Sequence, residues 1–443
     1  MNNVCRALFL IVMLVLTASV EAGTFEATPG NYLAQVSRLM PGDTLRLAPG
    51  DYLRGLPIHR LNGRADAPIR IEARDQRARP RFLAQRGHNT VSILDSSFVE
   101  IRGLDLEGRD LPVDAVNAGS RGRYAHHITV EDLLIRGYGA DQQEVGISTK
   151  CPAWSWVIRG NLIVGAGTGM YLGNSDGTAP FVAGMIEHNL VRDTRGYNLQ
   201  IKHQNARPEL PGMPTGPSIT VIRHNVFSKA NGAAIAGLAR PNVLVGHFPQ
   251  AGPGANDLYL IYGNFFYENP TEALFQGEGN IAFYSNVLVN MSGPAVHIQP
   301  HKGRPQSVDV FGNTVLARET GILVTGGDPE RRQRVFANLI FAGAPLPGGE
   351  VAENVIGEVR EASRWLRDPF VELGRLDLAP RDTSALRISK WPSLPQEYAD
   401  AGKDFDGRAR MDGVAGAYSA SSATWRLALD RKLPEGIAHG WRY

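Results

Sequence analysis

An asparagine in a fixed local frame recurs along the middle of this chain and restricts its fold more than any other feature. The frame places one apolar residue three positions before the asparagine and another two positions after it. It occurs at Asn161, Asn189, Asn225, Asn264, Asn286, Asn313, Asn338 and Asn354. The intervals between them are 28, 36, 39, 22, 27, 25 and 16 residues. A repeat of this length, with insertions, predicts a β-solenoid in which each coil buries its apolar face against the next.

The residues that flank the asparagines favour strands. The position three before holds Ile158, Ile186, Ile222, Ile261, Phe283, Val310, Val335 and Val351. The position two after holds Ile163, Val191, Phe227, Phe266, Leu288, Val315, Ile340 and Ile356. Apolar residues make up 43% of the chain, so a fully apolar column of eight is far above expectation. We expect both columns inside, and the asparagines stacked at a bend with left-handed backbone. Residues 101–104 and 130–133 resemble earlier, less regular coils. A β-propeller, the alternative, needs about 40 residues per blade and blade signatures that are absent.

Composition excludes two classes of protein. With 43% hydrophobic and 20% charged residues the chain is globular and not disordered. Lysine plus arginine number 46 against 44 acidic residues, which is too even for bulk nucleic-acid binding. The 49 glycines indicate many tight turns.

Residues 1–22 are predicted to be a signal peptide. Arg6 precedes an apolar run from Ala7 to Leu16, and 20–22 reads as a small-residue cleavage site. The run is too short for a membrane span. We therefore expect a periplasmic or secreted protein without a membrane span in the mature chain. Cleavage would remove Cys5 and leave Cys151 without a disulfide partner.

The two ends of the repeat region differ from it. Thr28 and Pro29 precede a candidate helix with Tyr32, Leu33, Val36, Leu39 and Met40 on one face, which would cap the open end of a solenoid. After Asn354 the repeat fades into a proline-rich stretch. The expected organisation is a β-helix with its N-terminal cap over 23–360 and a C-terminal capping segment over 361–443, extended along the solenoid.

Several segments resemble the openings of right-handed parallel β-helix proteins of the pectate-lyase-like superfamily. They are 41–45, 50–52, 67–71 and 99–104, and the Asp-Phe-Asp-Gly and Gly-Ala-Tyr motifs at 404–407 and 416–418 resemble the superfamily too. The resemblance is closest to the chondroitinase B and alginate lyase family. It implies an all-β fold, a right-handed parallel β-helix, and a protein that acts on an acidic polysaccharide.

One strand of each coil is expected to build a continuous outer face. The strand after each asparagine bend aligns by inward apolar pairs at 145 and 147, 170 and 172, 199 and 201, 296 and 298, and 322 and 324. Period-two alternation puts the residues between them outward. Their polar members are Ser148, Lys150, Tyr171, Gln200, Lys202, Gln204, Gln276, Glu278, His297, Gln299 and His301. The longest insertions, roughly 204–218 and 239–257, would leave this strand and wall one side of the patch.

The family resemblance also implies roles for individual residues. In that family a Glu-x-x-x-x-Lys strand supplies the base, an arginine on the next coil assists, and calcium on an acid cluster neutralises the sugar carboxylate. Residues 144–150 resemble this strand with one residue more between Glu144 and Lys150. Tyr171 stands near the place of the arginine, and Gln142 or Gln143 replaces the second acid.

These departures predict proton abstraction without a metal cofactor, since an amine or phenol can take the proton α to a carboxylate beside a cation. The candidate catalytic residues are Lys150, Tyr171, Lys202 and His203. The candidate substrate ligands are Gln200, Arg207, Gln276, Glu278, His297, Gln299 and His301. The expected partner is an acidic polysaccharide, bound by a monomer.

Two other functions stay open from the sequence. A non-catalytic carbohydrate-binding or surface β-helix protein would present the same polar face, and so would a face that is simply solvated and binds no ligand. A glycoside hydrolase needs two carboxylates about 5–9.5 Å apart, and the patch offers only Glu278 with Asp176 several coils away. The letters of a G-x-S-x-G motif at 173–177 lack the strand–turn–helix context that this motif requires.

Overall fold

A computed structural model describes residues 22–348, 350–389, 391, 393–410, 413–421, 426–430 and 432–433. All but the last residue of the expected signal peptide lies outside the described residues.

Three long parallel sheets are built from strands within residues 24–357. Sheet I contains Thr24–Ala27, Thr44–Leu47, Ile69–Ala73, Ser96–Arg102, Ala125–Glu131, Val157–Arg159, Met185–Glu187, Ile219–Arg223, Leu258–Tyr262, Gly279–Tyr284, Pro305–Phe311, Gln333–Phe336 and Glu350–Ala352, with Ala153–Trp154 and Phe181–Val182 at its side. Sheet II contains Gly50–Tyr52, Pro80–Leu83, Asp105–Glu107, Leu134–Arg136, Leu162–Val164, Leu190–Arg192, Val226–Ser228, Phe265–Tyr267, Val287–Asn290, Thr314–Thr320, Leu339–Ala344 and Val355–Gly357. Sheet III contains Leu56–His59, Val91–Leu94, Val116–Ala118, Val145–Thr149, Thr168–Leu172, Leu199–Ile201, Val243–Val245, Phe275–Gly277, Val296–Ile298 and Ile322–Val324.

The chain passes through sheets I, II and III in turn, and ten successive coils, from the one that begins with Thr44–Leu47 to the one that ends with Ile322–Val324, add one strand to each sheet. The expected parallel β-helix is therefore confirmed. Its interior is a single apolar column built from the inward residues of all three sheets, from Leu45 at one end to Ile340 near the other. The strands of the polar face form sheet III. In each coil the first strand after the asparagine bend belongs to sheet II, and the sheet III strand is the second.

The asparagines form one hydrogen-bonded ladder at the bend between sheets I and II. In each pair the backbone N–H and the side-chain Nδ2 of one asparagine both donate to Oδ1 of the next, at 2.9–3.1 Å. Each Nδ2 also donates to a carbonyl of the preceding coil, as Asn286 does to Ile261 at 2.9 Å. The left-handed residue is the one before the asparagine, for example His188 with φ 55°. The ladder thus satisfies buried backbone groups that the bend leaves without strand partners.

The ladder prediction is confirmed in every coil but the last. Val351 and Ile356 are 46% and 55% exposed because no further coil stacks on them. In the two earlier coils, buried Leu104 and Leu133 occupy the ladder position, and the N–H of Leu133 donates to Asn161 Oδ1 at 2.9 Å.

The N-terminal helix is shorter than expected, spanning Tyr32–Val36. Tyr32 packs its ring against Tyr52 and Phe82, with centroids 4.9 and 5.9 Å away, and so covers the first coil. Met40 is 54% exposed and does not belong to the apolar face, because the chain has already left the helix.

The segment after the last coil packs along the outer faces of sheets I and II. It contains Val359–Glu361, Ala362–Trp365, Ser384–Leu386 and the antiparallel strands Leu366–Asp368 and Asp377–Pro380. Its apolar side chains cover an outward column of sheet II that includes Leu190 and Phe265. On sheet I they cover a ring stack of Tyr262, Tyr284, Phe311 and Phe336, whose neighbouring centroids are 4.8–5.0 Å apart. Among the described residues, no outward side chain of sheet III belongs to either of these two clusters.

No helix within the described ranges is both long and apolar enough to cross a lipid bilayer. Ala236–Leu238, the remaining short helical turn, lies in the loop that leads into the sheet III strand Val243–Val245.

Candidate functional site

The strand register brings the outward side chains of sheet III into rows. Asn117, Ser148, Tyr171 and Gln200 are direct neighbours on successive strands. The row continues through Leu244 to Gln276 and His297. The strand Val243–Val245 lies inside the insertion expected at 239–257, so only its second half is a loop after sheet III.

A second row lies one residue beyond the strand ends. The pairing of Leu172 with Ile201 places Gly173 beside Lys202, and on the other side of Gly173 lies Lys150. A Cβ on Gly173 would lie 3.3 Å from Cβ of Lys202, so glycine leaves the space between the two lysines open. Strands in a sheet are about 4.8 Å apart, which makes these lysines near neighbours.

Lys150, Tyr171 and Lys202 form the centre of the face. The Lys150 Nζ lies 3.4 Å from the centroid of the Tyr171 ring, and the Lys202 Nζ lies 5.7 Å from it. All three side chains are half-buried. The structure therefore brings together three of the four candidate catalytic residues.

Burial gives these groups unusual acidities. It lowers the pKa of Lys150 to about 8, an effect that the Asp114 carboxylate partly offsets and the Lys202 cation adds to. The pKa of Lys202 is also lowered, first by burial and then by Lys302. Burial raises the pKa of Tyr171, with Tyr197 contributing in the same direction. Around pH 8 a large share of the Lys150 amine is thus uncharged and can accept a proton, while the Tyr171 phenol keeps a proton that it can donate.

Asp114 supports this centre and was missed in the sequence. Its Oδ2 accepts hydrogen bonds from Asn117 Nδ2 and Ser148 Oγ, both at 2.7 Å, and its Oδ1 accepts the Val145 N–H at 2.9 Å. Both carboxylate oxygens are used in fixing two strands of sheet III. The sequence gives little indication of Asp114 because its coil precedes the asparagine ladder, which marks the register of the later coils.

Four cavities follow one another along the face. The largest, about 880 Å³, extends from the first coils to Lys150, and the next, about 340 Å³, surrounds Lys150, Tyr171 and Lys202. A small one of about 20 Å³ lies against Lys202 and Glu278, and the last, about 330 Å³, lies beside His247 and Lys302. Segments that enter sheet III form one wall and segments that leave it form the other.

The side chain of His203 lies apart from those of Lys150 and Tyr171. Its ring stacks on His247, with centroids 5.1 Å apart, on the side of the cleft towards the C-terminal coils. Burial lowers the pKa of His203, and Lys302, His247 and Lys202 lower it further. The structure therefore places His203 on the same face but apart from the Lys150 and Tyr171 side chains.

Two of the candidate ligands are engaged in fixing loops, which corrects their assignment. The guanidinium of Arg207 is 2% exposed, pairs with Asp257 and donates to the Pro214 carbonyl at 2.7 Å. Glu278 is 2% exposed, and its Oε1 accepts the N–H groups of His301, Lys302 and Gly303. The Arg207 guanidinium and the Oε1 atom of Glu278 are therefore engaged within the protein.

The 204–218 insertion forms a wall only with its first residues. Gln204, Asn205 and Ala206 line the last cavity. Beyond them Leu210 and Met213 turn away and pack on Trp154 and Val182, at the side of sheet I. The loop takes this path because the apolar side chains of Leu210 and Met213 pack against Trp154 and Val182.

The other candidate ligands lie on the face at different distances from the centre. Gln200 is 5% exposed and lies beside Tyr171, lining two of the cavities. His301 is exposed and lines the small cavity. Gln276, His297 and Gln299 are half-buried on the later coils and line none of the four cavities.

Replacing Arg207 with alanine is expected to open the 204–218 loop without weakening carbohydrate binding. The Asp257 carboxylate, 4% exposed, would lose its counter-charge, and local opening would hydrate it. Cleavage of this loop by a protease should become at least about tenfold faster, as followed by gel electrophoresis. If the variant also lost affinity for an acidic polysaccharide by about the same factor, Arg207 would again be assigned as a substrate ligand.

The residues present do not form the calcium site that the family resemblance implies. Glu144 is 7% exposed and its Oε2 accepts the backbone N–H of Asp141. Over the described ranges, no three His, Cys, Asp or Glu side chains come together in a way that could hold a metal ion. Oxygen-rich carboxylate clusters are what calcium requires.

Comparison with known proteins identifies the fold. No protein-family model matches the sequence, and no curated protein matches it either. Among solved structures, the GH136 lacto-N-biosidase from Eubacterium ramulus superimposes with a TM-score of 0.51 at 12% identity, over 76% of this chain and 68% of its own. An alginate lyase from Paenibacillus sp. (TM-score 0.41, 15% identity, 76% of this chain and 99% of its own) and the pectate lyase Pel9A (0.41, 12%, 92% and 96%) are also similar. The chain has the fold of the parallel β-helix proteins.

Proposed function

We propose that this protein binds an acidic polysaccharide along the outer face of sheet III and abstracts a proton α to a sugar carboxylate, as a lyase or an epimerase. Export to the periplasm or the medium belongs to the same proposal. It is motivated by the apolar N-terminal run.

The charge of the cleft lining carries the proposal. The cationic side chains that line the four cavities are Arg54, Arg121, Lys150, Lys202, Arg240, Lys302 and Arg304. Among the described residues that line them Glu278 is the only one with a carboxylate, and its Oε1 already accepts backbone N–H groups. The whole chain has a net charge of only +2, so this face concentrates positive charge. A cleft of one sign attracts a polymer of the opposite sign.

The central residues have the acidities that proton abstraction needs. The Lys150 amine would take the proton next to the carboxylate, and the Lys202 cation would stabilise the negative charge that develops on the carboxylate. In a lyase the C–H electron pair becomes a carbon–carbon double bond while the β carbon–oxygen bond breaks. The Tyr171 phenol would donate its proton to the leaving oxygen. In an epimerase a proton would instead return to the same carbon from the opposite side.

Hydrolysis is less compatible with this lining. Glycoside hydrolases need two carboxylates, one of them free to act as an acid. The described lining offers Glu278 alone, and Asp114 behind the first row has both oxygens hydrogen-bonded.

Activity is expected to survive removal of divalent cations. Since the described acids do not gather into a metal site, turnover or binding should change by less than about twofold after dialysis against a chelator. The measurement is the initial rate with and without EDTA and after calcium is added back. Loss with the chelator and recovery with calcium, together with a calcium ion bound at Glu144, would contradict this.

The proposal is tested with the full mature chain on polygalacturonate, polymannuronate and chondroitin, with neutral dextran as the control polymer. Affinity is measured by calorimetry and cleavage by the ultraviolet absorbance of an unsaturated sugar. The proposal expects binding of at least one uronate polymer and not of dextran. Binding without chemistry would support the non-catalytic carbohydrate-binding alternative, and equal affinity for dextran would contradict an acidic ligand.

A further inference from the structure

The largest of these four cavities lies on the N-terminal side of the central residues. It has a volume of about 880 Å³ and covers the sheet III strands Leu56–His59, Val91–Leu94 and Val116–Ala118. Lys150 lines both this cavity and the one around Tyr171, so the two adjoin at this residue. Of the residues that the sequence suggested for the site, only Lys150 belongs to it.

The floor of this cavity offers neutral hydrogen-bonding groups. His59 Nε2 lies 3.1 Å from Ser92 Oγ, and burial lowers the pKa of His59, which favours its uncharged form. Asn117 lies on the next strand, followed by the strand that leads to Lys150. Such groups suit the hydroxyls of a sugar, and the half-buried Leu94 beside them offers apolar contact.

The rim of the cavity offers positive charge on both walls. Arg54 precedes the strand Leu56–His59, and Arg121 follows the strand Val116–Ala118, so they rise from opposite walls. Both are exposed, and within the described part of the chain neither has a carboxylate within ion-pair distance. Arginines on the outer face of sheet I are paired instead, as Arg70 is with Glu100 at 2.8 Å. None of the described residues that line this cavity carries a carboxylate.

We propose that this cavity, with Arg54 and Arg121 on its rim and His59, Ser92 and Asn117 on its floor, is a distal binding region that holds additional anionic sugar units of the polymer. The inference rests on the proposed function and extends it, because it assigns a length and a direction to the bound polymer. Five strand steps separate the first strand of the cavity from the strand of Lys202, about 24 Å at about 4.8 Å per step. A short oligosaccharide at Lys150 and Lys202 would not reach Arg54.

The test compares a long polymer with a short oligosaccharide. The double variant Arg54→Ala/Arg121→Ala is measured with the uronate polymer that the wild-type protein binds best and with a trisaccharide prepared from it. Affinity for the polymer is expected to fall at least tenfold, equivalent to about 1.4 kcal/mol. Affinity for the trisaccharide is expected to fall much less, because it is held at Lys150 and Lys202. The loss should shrink as salt is added.

Arg123→Ala is the matched control. Arg123 is in the same loop as Arg121, and its side chain is 76% exposed, but it lies 3.8 Å from Asp95 and outside the cavity lining. If the double variant behaves like Arg123→Ala on the polymer, or weakens trisaccharide and polymer equally, the distal region is refuted while the proposed function stands. If the wild-type protein binds no uronate polymer, both proposals fail.

Discussion

Replacing Lys150 with alanine is expected to lower turnover of an acidic polysaccharide by at least about a hundredfold, since a positioned general base contributes about 10²–10⁴ in rate. The melting temperature should stay unchanged or rise slightly. Burial disfavours the charged form of this lysine. Below pH 8, where the amine is charged, Lys150 therefore lowers the stability of the folded protein. Rates are measured by product absorbance and stability by thermal denaturation.

Two variants separate the possible reasons for such a loss. Lys150→Arg keeps a cation but cannot act as a base near neutral pH, so it should retain binding and lose turnover. Lys403→Ala removes an exposed lysine, paired with Asp400 at 2.7 Å on the C-terminal segment, and should change neither property. A Lys150→Ala protein that turns over normally would remove Lys150 from the mechanism. One that unfolds would make it structural.

The pH profile of the same reaction follows from the lowered pKa of Lys150. The amine must be neutral to accept a proton, so kcat/KM should rise about tenfold per pH unit below pH 8 and level off above it. A bound carboxylate favours the charged amine, so the profile of kcat should be displaced to higher pH than that of kcat/KM. A profile that falls through this range would require an acid in the rate-limiting step instead.

Replacing Asn286 with alanine is expected to destabilise the protein by about 4 kcal/mol, from several buried groups at about 1–3 kcal/mol each. Its Nδ2 donates to the Ile261 carbonyl at 2.9 Å, and its Oδ1 accepts the N–H of Asn264 at 3.0 Å. Both backbone groups would remain buried without partners. Urea denaturation measures the change in the free energy of unfolding.

Asn354→Ala is the control for the ladder. Asn354 lies in the last coil, where water can replace its bonds to Val335 and Ala352, so a loss well under half as large is expected. Equal losses at the two positions would mean that the ladder stabilises the fold through something other than buried backbone groups.

The ladder also explains which parts of the fold could be predicted from the sequence. An asparagine that bonds its counterpart in the next coil must recur in the same frame, so its position fixes the register of every coil that has it. Leu104 and Leu133 fill that position in the earlier coils, so no asparagine marks their register there. The N-terminal half of sheet III, with Asp114 and the largest cavity, was missed for this reason.

The centre of the site could be predicted in part. Period-two alternation placed Lys150, Tyr171 and Lys202 on one face because neighbouring strands share their register. The pairs that fix the loops could not be predicted, since Arg207 meets an acid 50 residues away and Glu278 meets backbone groups 23 to 25 residues away. The folding of the 204–218 loop onto Trp154 likewise depends on a surface that only the stacked coils create.

The most direct test of the central claim is mass spectrometry of a uronate polymer incubated with the wild-type protein in deuterated water. Proton abstraction at the carbon next to the carboxylate predicts either unsaturated products, which lack the elements of water relative to hydrolysis products, or deuterium on that carbon in an uncleaved chain. Both signals should be absent with Lys150→Ala. Saturated, hydrolysed products would contradict proton abstraction, as would an unchanged polymer that the protein nevertheless binds.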